Sequence, residues 1–128
     1  MADAAYVIDF GLHMIVDAIL ALGATEPHHI QWGTGATGAA AADPGIENAA
    51  AEARTQGTTT AETTSTTSDT YRVVGTIVCA GAGKAITEVA LYDTATAGIA
   101  FMHGTFSAIN VSIGDSIAFT INNVFNQA

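Results

Sequence analysis

Apolar and polar residues alternate over four short segments in the second half of the chain: Tyr71 to Cys79, Lys84 to Tyr92, Gly98 to Phe106 and Ser116 to Phe125. In each, Val, Ile, Thr, Phe or Tyr recur between small or polar neighbours. Each segment therefore predicts a strand with one buried and one wet face. His28 to Trp32 predicts a further short strand. Ile117, Phe119, Ile121 and Val124 nearly alternate, with room for a one-residue bulge before Val124 and Phe125, and predict the last core strand. The pattern describes a small β-sandwich or barrel.

The first segment follows another rule. From Tyr6 to Leu22 the chain is rich in Val, Ile, Leu, Phe and Met, with Asp9, His13 and Asp17 recurring every fourth residue. That spacing predicts one amphipathic helix with a polar stripe, Asp3 as its N-cap and Gly23 as its stop. The acidic start at Asp3 argues against a signal peptide, and three polar residues within the run argue against a membrane span. The expected organisation is an N-terminal helix over residues 1–24 and a single β-domain over residues 25–128.

Between helix and sheet the composition changes. Gly33, Gly35, Gly38, four alanines and the break Asp43-Pro44-Gly45 are turn and loop signals. Glu47 to Arg54 is rich in alanine and predicts a short helix. Thr55 to Thr70 is largely threonine, which favours extended backbone and fits an exposed strand, a hairpin arm or a mobile loop. Residues 33–69 are thus expected to form a flexible Gly/Ala/Thr-rich region.

The length, 128 residues, suits one domain that buries a core without disulfides. Cys79, the single cysteine, falls in a predicted strand and reads as a buried structural thiol compatible with a reducing compartment. Twelve acidic residues against Arg54, Arg72 and Lys84 give a formal net charge of -9. Nucleic acid is excluded as an expected partner, because phosphate binding relies on clustered Lys and Arg. An anionic membrane surface is disfavoured for the same reason. A protein with a basic or neutral docking surface would be attracted.

Candidate chemistry is sparse. Asp9, His13 and Asp17 share a helix face but make an incomplete metal shell, and His28 and His29 would point to opposite faces of a strand. Gly33-Thr34-Gly35-Ala36-Thr37-Gly38 matches the dinucleotide fingerprint in letters. It lacks the helix that must follow, since Asp43-Pro44-Gly45 intervenes. Gly81-Ala82-Gly83-Lys84 resembles the end of a P-loop without its first glycine or its hydroxyl, and reads as a hairpin turn. No serine sits in a nucleophile elbow, and His103, Ser107 and Asp115 are scattered residue types. Of Glu88, Asp93 and Asp115, the last two are explained by turns, and no carboxylate has a visible partner. No enzymatic activity, metal or cofactor is expected.

Four stretches resemble a known family: Gln31-Trp32-Gly33-Thr34-Gly35, Tyr71-Arg72-Val73-Val74-Gly75-Thr76, Ile86-Thr87-Glu88-Val89-Ala90-Leu91-Tyr92-Asp93, and the run from Phe106 to Thr120. Together they resemble small capsid cement or decoration proteins of tailed bacteriophages, over about residues 32–125. The resemblance implies a jelly-roll-like β-sandwich that binds the outside of the phage head, with the major capsid protein as partner. It also implies a virion location on the capsid exterior after synthesis in the bacterial cytoplasm. A homodimer or homotrimer straddling symmetry axes would strengthen attachment through avidity. Expected capsid or self-association contacts are Tyr6, Phe10 and Met14 on the helix, Trp32, and Thr58, Thr60 and Thr63 on the threonine arm; for Trp32 and Phe10 a core position is the preferred reading, and the threonine arm also reads as an inert loop. Similar segments occur in phage tail-fibre proteins, so a receptor-binding β-module is the alternative. A hydrolase of envelope polymers, dependent on Glu88 or Asp115, ranks last.

Overall fold

The computed structural model describes residues 7–126. Among the described residues one α-helix, α1 (Asp9–Leu20), precedes seven strands: β1 (His29–Gly33), β2 (Thr55–Gln56), β3 (Thr58–Glu62), β4 (Thr70–Val78), β5 (Lys84–Tyr92), β6 (Ala100–Val111) and β7 (Ser116–Val124). They form a four-stranded sheet in the order β2-β1-β5-β6 and a three-stranded sheet in the order β3-β4-β7. All neighbouring strands are antiparallel. The chain is therefore mainly β, a small sandwich with one helix.

The alternation that predicted the strands also builds the core. Tyr71, Val73 and Ile77 of β4 and Phe119 and Ile121 of β7 face Ile30 and Trp32 of β1 and Val89 and Leu91 of β5. In β5 the register against β6 shifts between Ile86 and Glu88, and the alternation changes phase there. Ile86 is in the core before the shift, and Val89 and Leu91 after it. Glu88, Ala90 and Tyr92 consequently lie on the opposite face, yet they too are buried. The chain from residue 34 to residue 54 covers them.

The two long sides of the sandwich are built differently. On one, β2 leaves the four-stranded sheet and continues as β3 in the three-stranded sheet, switching at Gly57. A side chain does not fit there, because a Cβ at Gly57 would lie 2.5 Å from Val73 Cγ1 and 3.0 Å from the Val74 carbonyl oxygen. Helix α1 packs against β3 and β4, burying Leu12 and Val16. On the other side, β6 and β7 follow one another through the turn Ser112 to Asp115 but do not pair. Each is the free edge of its own sheet.

Several expectations change in the folded chain. The helix begins at Asp9, its N-cap residue is Ile8, and Asp3 lies outside the described residues. Glu47 to Arg54 is not helical; it is irregular chain with a bridge from Ala49 to Gly33. Gly81 to Lys84 is not a hairpin turn, because β4 and β5 belong to different sheets and the segment crosses between them. β6 runs on to Val111, past the Phe106 expected from the pattern. His28 precedes β1, so its ring is free to touch that of His29, edge-on at 4.7 Å.

Candidate functional site

The region expected to be flexible is hydrogen-bonded to the four-stranded sheet through buried side chains. Glu88 is the centre of this attachment. Its Oε2 accepts the amides of Gly35 at 2.6 Å and Asn48 at 2.9 Å, and its Oε1 accepts the amide of Glu47 at 2.8 Å. Glu47 in turn accepts the amides of Ala36 and Thr37. Tyr92 Oη receives the Ile46 amide at 2.9 Å. The glycine motif thus wraps an anion, but the anion belongs to the chain itself. A Cβ at Gly35 would collide with the Glu88 carboxylate, which explains the glycine without any nucleotide.

His103 on β6 completes the cluster. Its Nε2 lies 2.8 Å from Glu88 Oε1 and its Nδ1 lies 2.7 Å from Asp43 Oδ2. With both ring nitrogens facing carboxylates, the imidazolium, which donates from both, satisfies the geometry. Burial opposes that charge, but the hydrogen bonds and negative charge of Asp43 and Glu88 outweigh it and raise the pKa above 6.5. Burial likewise pushes the Glu88 carboxyl up, and the amides of Glu47, Asn48 and Gly35 together with His103 hold it below its ordinary value. No ring nitrogen remains for Ser107, so a nucleophile–base pair is not formed. The arrangement clamps a loop.

A pH test follows from the sign of the His103 shift. A histidine whose pKa is raised on folding stabilises the fold fully below its ordinary value of 6.5, and this contribution fades as pH climbs through the raised value. Urea unfolding of wild type and His103→Gln from about pH 5 to about pH 9 should show the largest difference at the acidic end. A gap that widens towards alkaline pH would contradict the charged clamp.

Other buried or half-buried charges have similar work. Glu52 accepts Trp32 Nε1 at 2.9 Å, the Ala80 amide at 3.0 Å and Lys84 Nζ at 2.6 Å. Burial disfavours its charge, yet Lys84, Ala80 and Trp32 lower its pKa to about 2. Arg54 stacks on the Tyr92 ring at 3.5 Å and donates to the carbonyls of Thr94 and Ala97. Asp69 accepts the amides of Thr64, Ser65 and Thr66, closing the turn between β3 and β4. Among the described residues no buried side-chain nitrogen or oxygen lacks a partner.

The expected contact residues fall in different settings. Phe10 and Met14 are 79% and 70% exposed, so the core reading of Phe10 is corrected: only the Leu12 and Val16 side of α1 packs inward. For Trp32 the core reading holds, and the contact reading is the one corrected. It is fully buried, and its indole donates to Glu52, so it offers nothing to a partner surface. Thr58 and Thr60 are exposed on the outer face of the three-stranded sheet, where Thr60 bonds Glu62, Glu62 pairs with Arg72, and Arg72 bonds Asn122. Thr63 is exposed in the Asp69-closed turn, its hydroxyl accepting the Ser68 amide. Tyr6 lies outside the described residues. The structure joins α1 to β3 but does not bring Trp32 to the same surface.

One feature gave no sign in the apolar alternation. Between β6 and β7 lies an apolar cleft of about 640 Å³, walled by Met102, Phe106, Ile109, Ile117, Phe119 and Ile121. Phe106 and Phe119 face each other across it, 6.3 Å apart. The signal available in the sequence was the charge pattern: from Ala100 to Val111 and from Ser116 to Val124 there is no Lys, Arg, Asp or Glu.

Among the described residues there is no cluster of His, Cys, Asp or Glu suited to a metal ion, and no helix is long and apolar enough to cross a membrane. No protein-family model, curated protein or solved structure matches this chain.

Proposed function

We propose that this chain is a structural protein of a tailed-bacteriophage particle, binding the outer surface of the head and stabilising the mature capsid lattice. The observation that carries this reading is how the fold divides its groups. Acids and bases with the chemistry for catalysis, Glu88, His103, Asp43 and Glu52, are engaged in holding the 34–54 segment in place, whereas apolar side chains such as Phe10, Met14 and Ile109 are left outside. A small, heavily hydrogen-bonded body with apolar surface suits attachment. The resemblance to cement proteins supplies the class of surface.

Binding to the mature lattice in preference to its precursor would stabilise that state by mass action, with no reaction required. The partner is the major capsid protein. The net charge of -9 suits a neutral or basic docking surface and predicts weaker binding as salt rises. The deciding experiment is the copy number of this chain relative to the major capsid protein in purified particles. A ratio near the number of lattice sites supports the proposal; a few copies per particle favours the tail-fibre alternative; absence from particles removes both.

A further inference from the structure

We propose that the open side of the sandwich, where β6 and β7 are free edges flanking an apolar cleft, is the docking surface for a second copy of this chain. This goes beyond capsid binding and does not depend on it. The fold closes one long side covalently at Gly57 and leaves the other unpaired, although β6 and β7 are joined by a short turn. An unpaired edge presents a row of amide and carbonyl groups that pair readily with another strand. Natural edges are guarded by lysine, proline or inward charges, and β6 and β7 contain no Lys, Arg, Asp, Glu or Pro. The one chargeable group on either strand, His103, is turned towards the loop with both nitrogens engaged.

Charge restricts how a second copy can approach. Two copies at -9 each repel one another, and close approach is cheapest through a surface free of carboxylates. The β6/β7 side comes nearest to this: neither strand carries a carboxylate, and Asp115 stands at one end, in the turn that joins them. Apolar side chains stand on or beside it, with Ile109 43% and Phe101 41% exposed. Its size also fits. A 12-residue strand is about 40 Å long, and two stacked sheet edges are about 20 Å deep with their side chains. That strip offers roughly 800 Å² per copy, the area of a standard protein–protein interface. Pairing of β6 with a strand of the second copy would extend the four-stranded sheet and cover Ile109 and the cleft.

Sedimentation velocity of the purified full chain over a concentration series, with no phage heads present, tests this separately from the capsid proposal. A discrete oligomer is expected, tightening as salt screens the repulsion. Ile109→Lys on β6 and Ala118→Lys on β7, both at exposed positions, should each weaken it by about tenfold or more. Thr67→Lys, on the exposed turn between β3 and β4, should leave it unchanged. Circular dichroism verifies that each variant is folded. A monomer at every concentration, or an oligomer that both edge variants leave intact, overturns the proposal. So does a monomer whose edge variants lose binding to heads, since a capsid segment would then be the occupant.

Discussion

Replacing Glu88 with Gln is expected to destabilise the fold by about 3 to 5 kcal/mol, the range for breaking a buried charge pair by removing one partner. The carboxylate is fully buried and accepts four donors: the amides of Gly35, Glu47 and Asn48 and the ring Nε2 of His103. A glutamine has one oxygen and one NH2 group. Whichever way it is turned, two of those donors meet another donor, and His103 loses one of its two anions. Chemical denaturation followed by the fluorescence of Trp32, the single tryptophan, measures the loss. A variant within about 1 kcal/mol of wild type would show that the loop is held by other means.

Truncating Trp32 to Ala should cost about 5 kcal/mol, the upper end for a buried aromatic, because the site is fully enclosed between the sheets and few neighbours can collapse into it. The indole also donates to Glu52. Trp32→Phe separates these contributions: it retains most of the volume, and losing a hydrogen bond to a charged acceptor costs about 1.5 to 3 kcal/mol. Circular dichroism is the readout for both, since the fluorophore is gone. If the alanine variant lost under about 1 kcal/mol, a core position for Trp32 would be untenable.

Phe10 and Trp32, both read from the sequence as core residues in preference to contacts, show what patterning can resolve: Trp32 is buried and Phe10 is exposed. Alternation places residues on a face but does not say which face is covered. α1 is apolar on several sides, and only contact with β3 and β4 determines that Leu12 and Val16 are buried while Phe10 is not. Trp32 sits beside a glycine-rich loop, and pairing with Val89 of β5 places it inside, as its core reading expects. Strand boundaries were readable where turn residues flank the segment, as at Lys84 and Tyr92. They were not at β6, where the register shift interrupts the alternation and the strand continues to Val111.

The clamp was written in the sequence only as a contradiction. Glu88 stands in a mostly apolar strand, and a buried acid must find donors. The residues that satisfy it, Gly35, Glu47, Asn48 and His103, come from separate segments with no spacing rule to connect them. Asp93 and Asp115 were readable as turn residues because their partners are local: Asp93 accepts the Ile99 amide and Asp115 the Ser112 amide. Local hydrogen bonds leave a local signature, and those that cross a sheet do not.

The strand order also fixes a sequence of events during synthesis. β1 has its main partner in β5, Ile30 opposite Leu91, so nearly half the chain separates them. At a translation rate of about 5–20 residues per second, Ile30 and Trp32 wait roughly 3 to 12 s for the strand that covers them. Helix α1 waits as well, since β3 and β4 must form before Val16 is enclosed. The nascent chain therefore carries its largest aromatic residue unprotected until its last third is under way, and its apolar helix until β4 is made. The four carboxylates between Leu20 and Arg54, Glu26, Asp43, Glu47 and Glu52, keep that waiting segment charged and soluble in the interval.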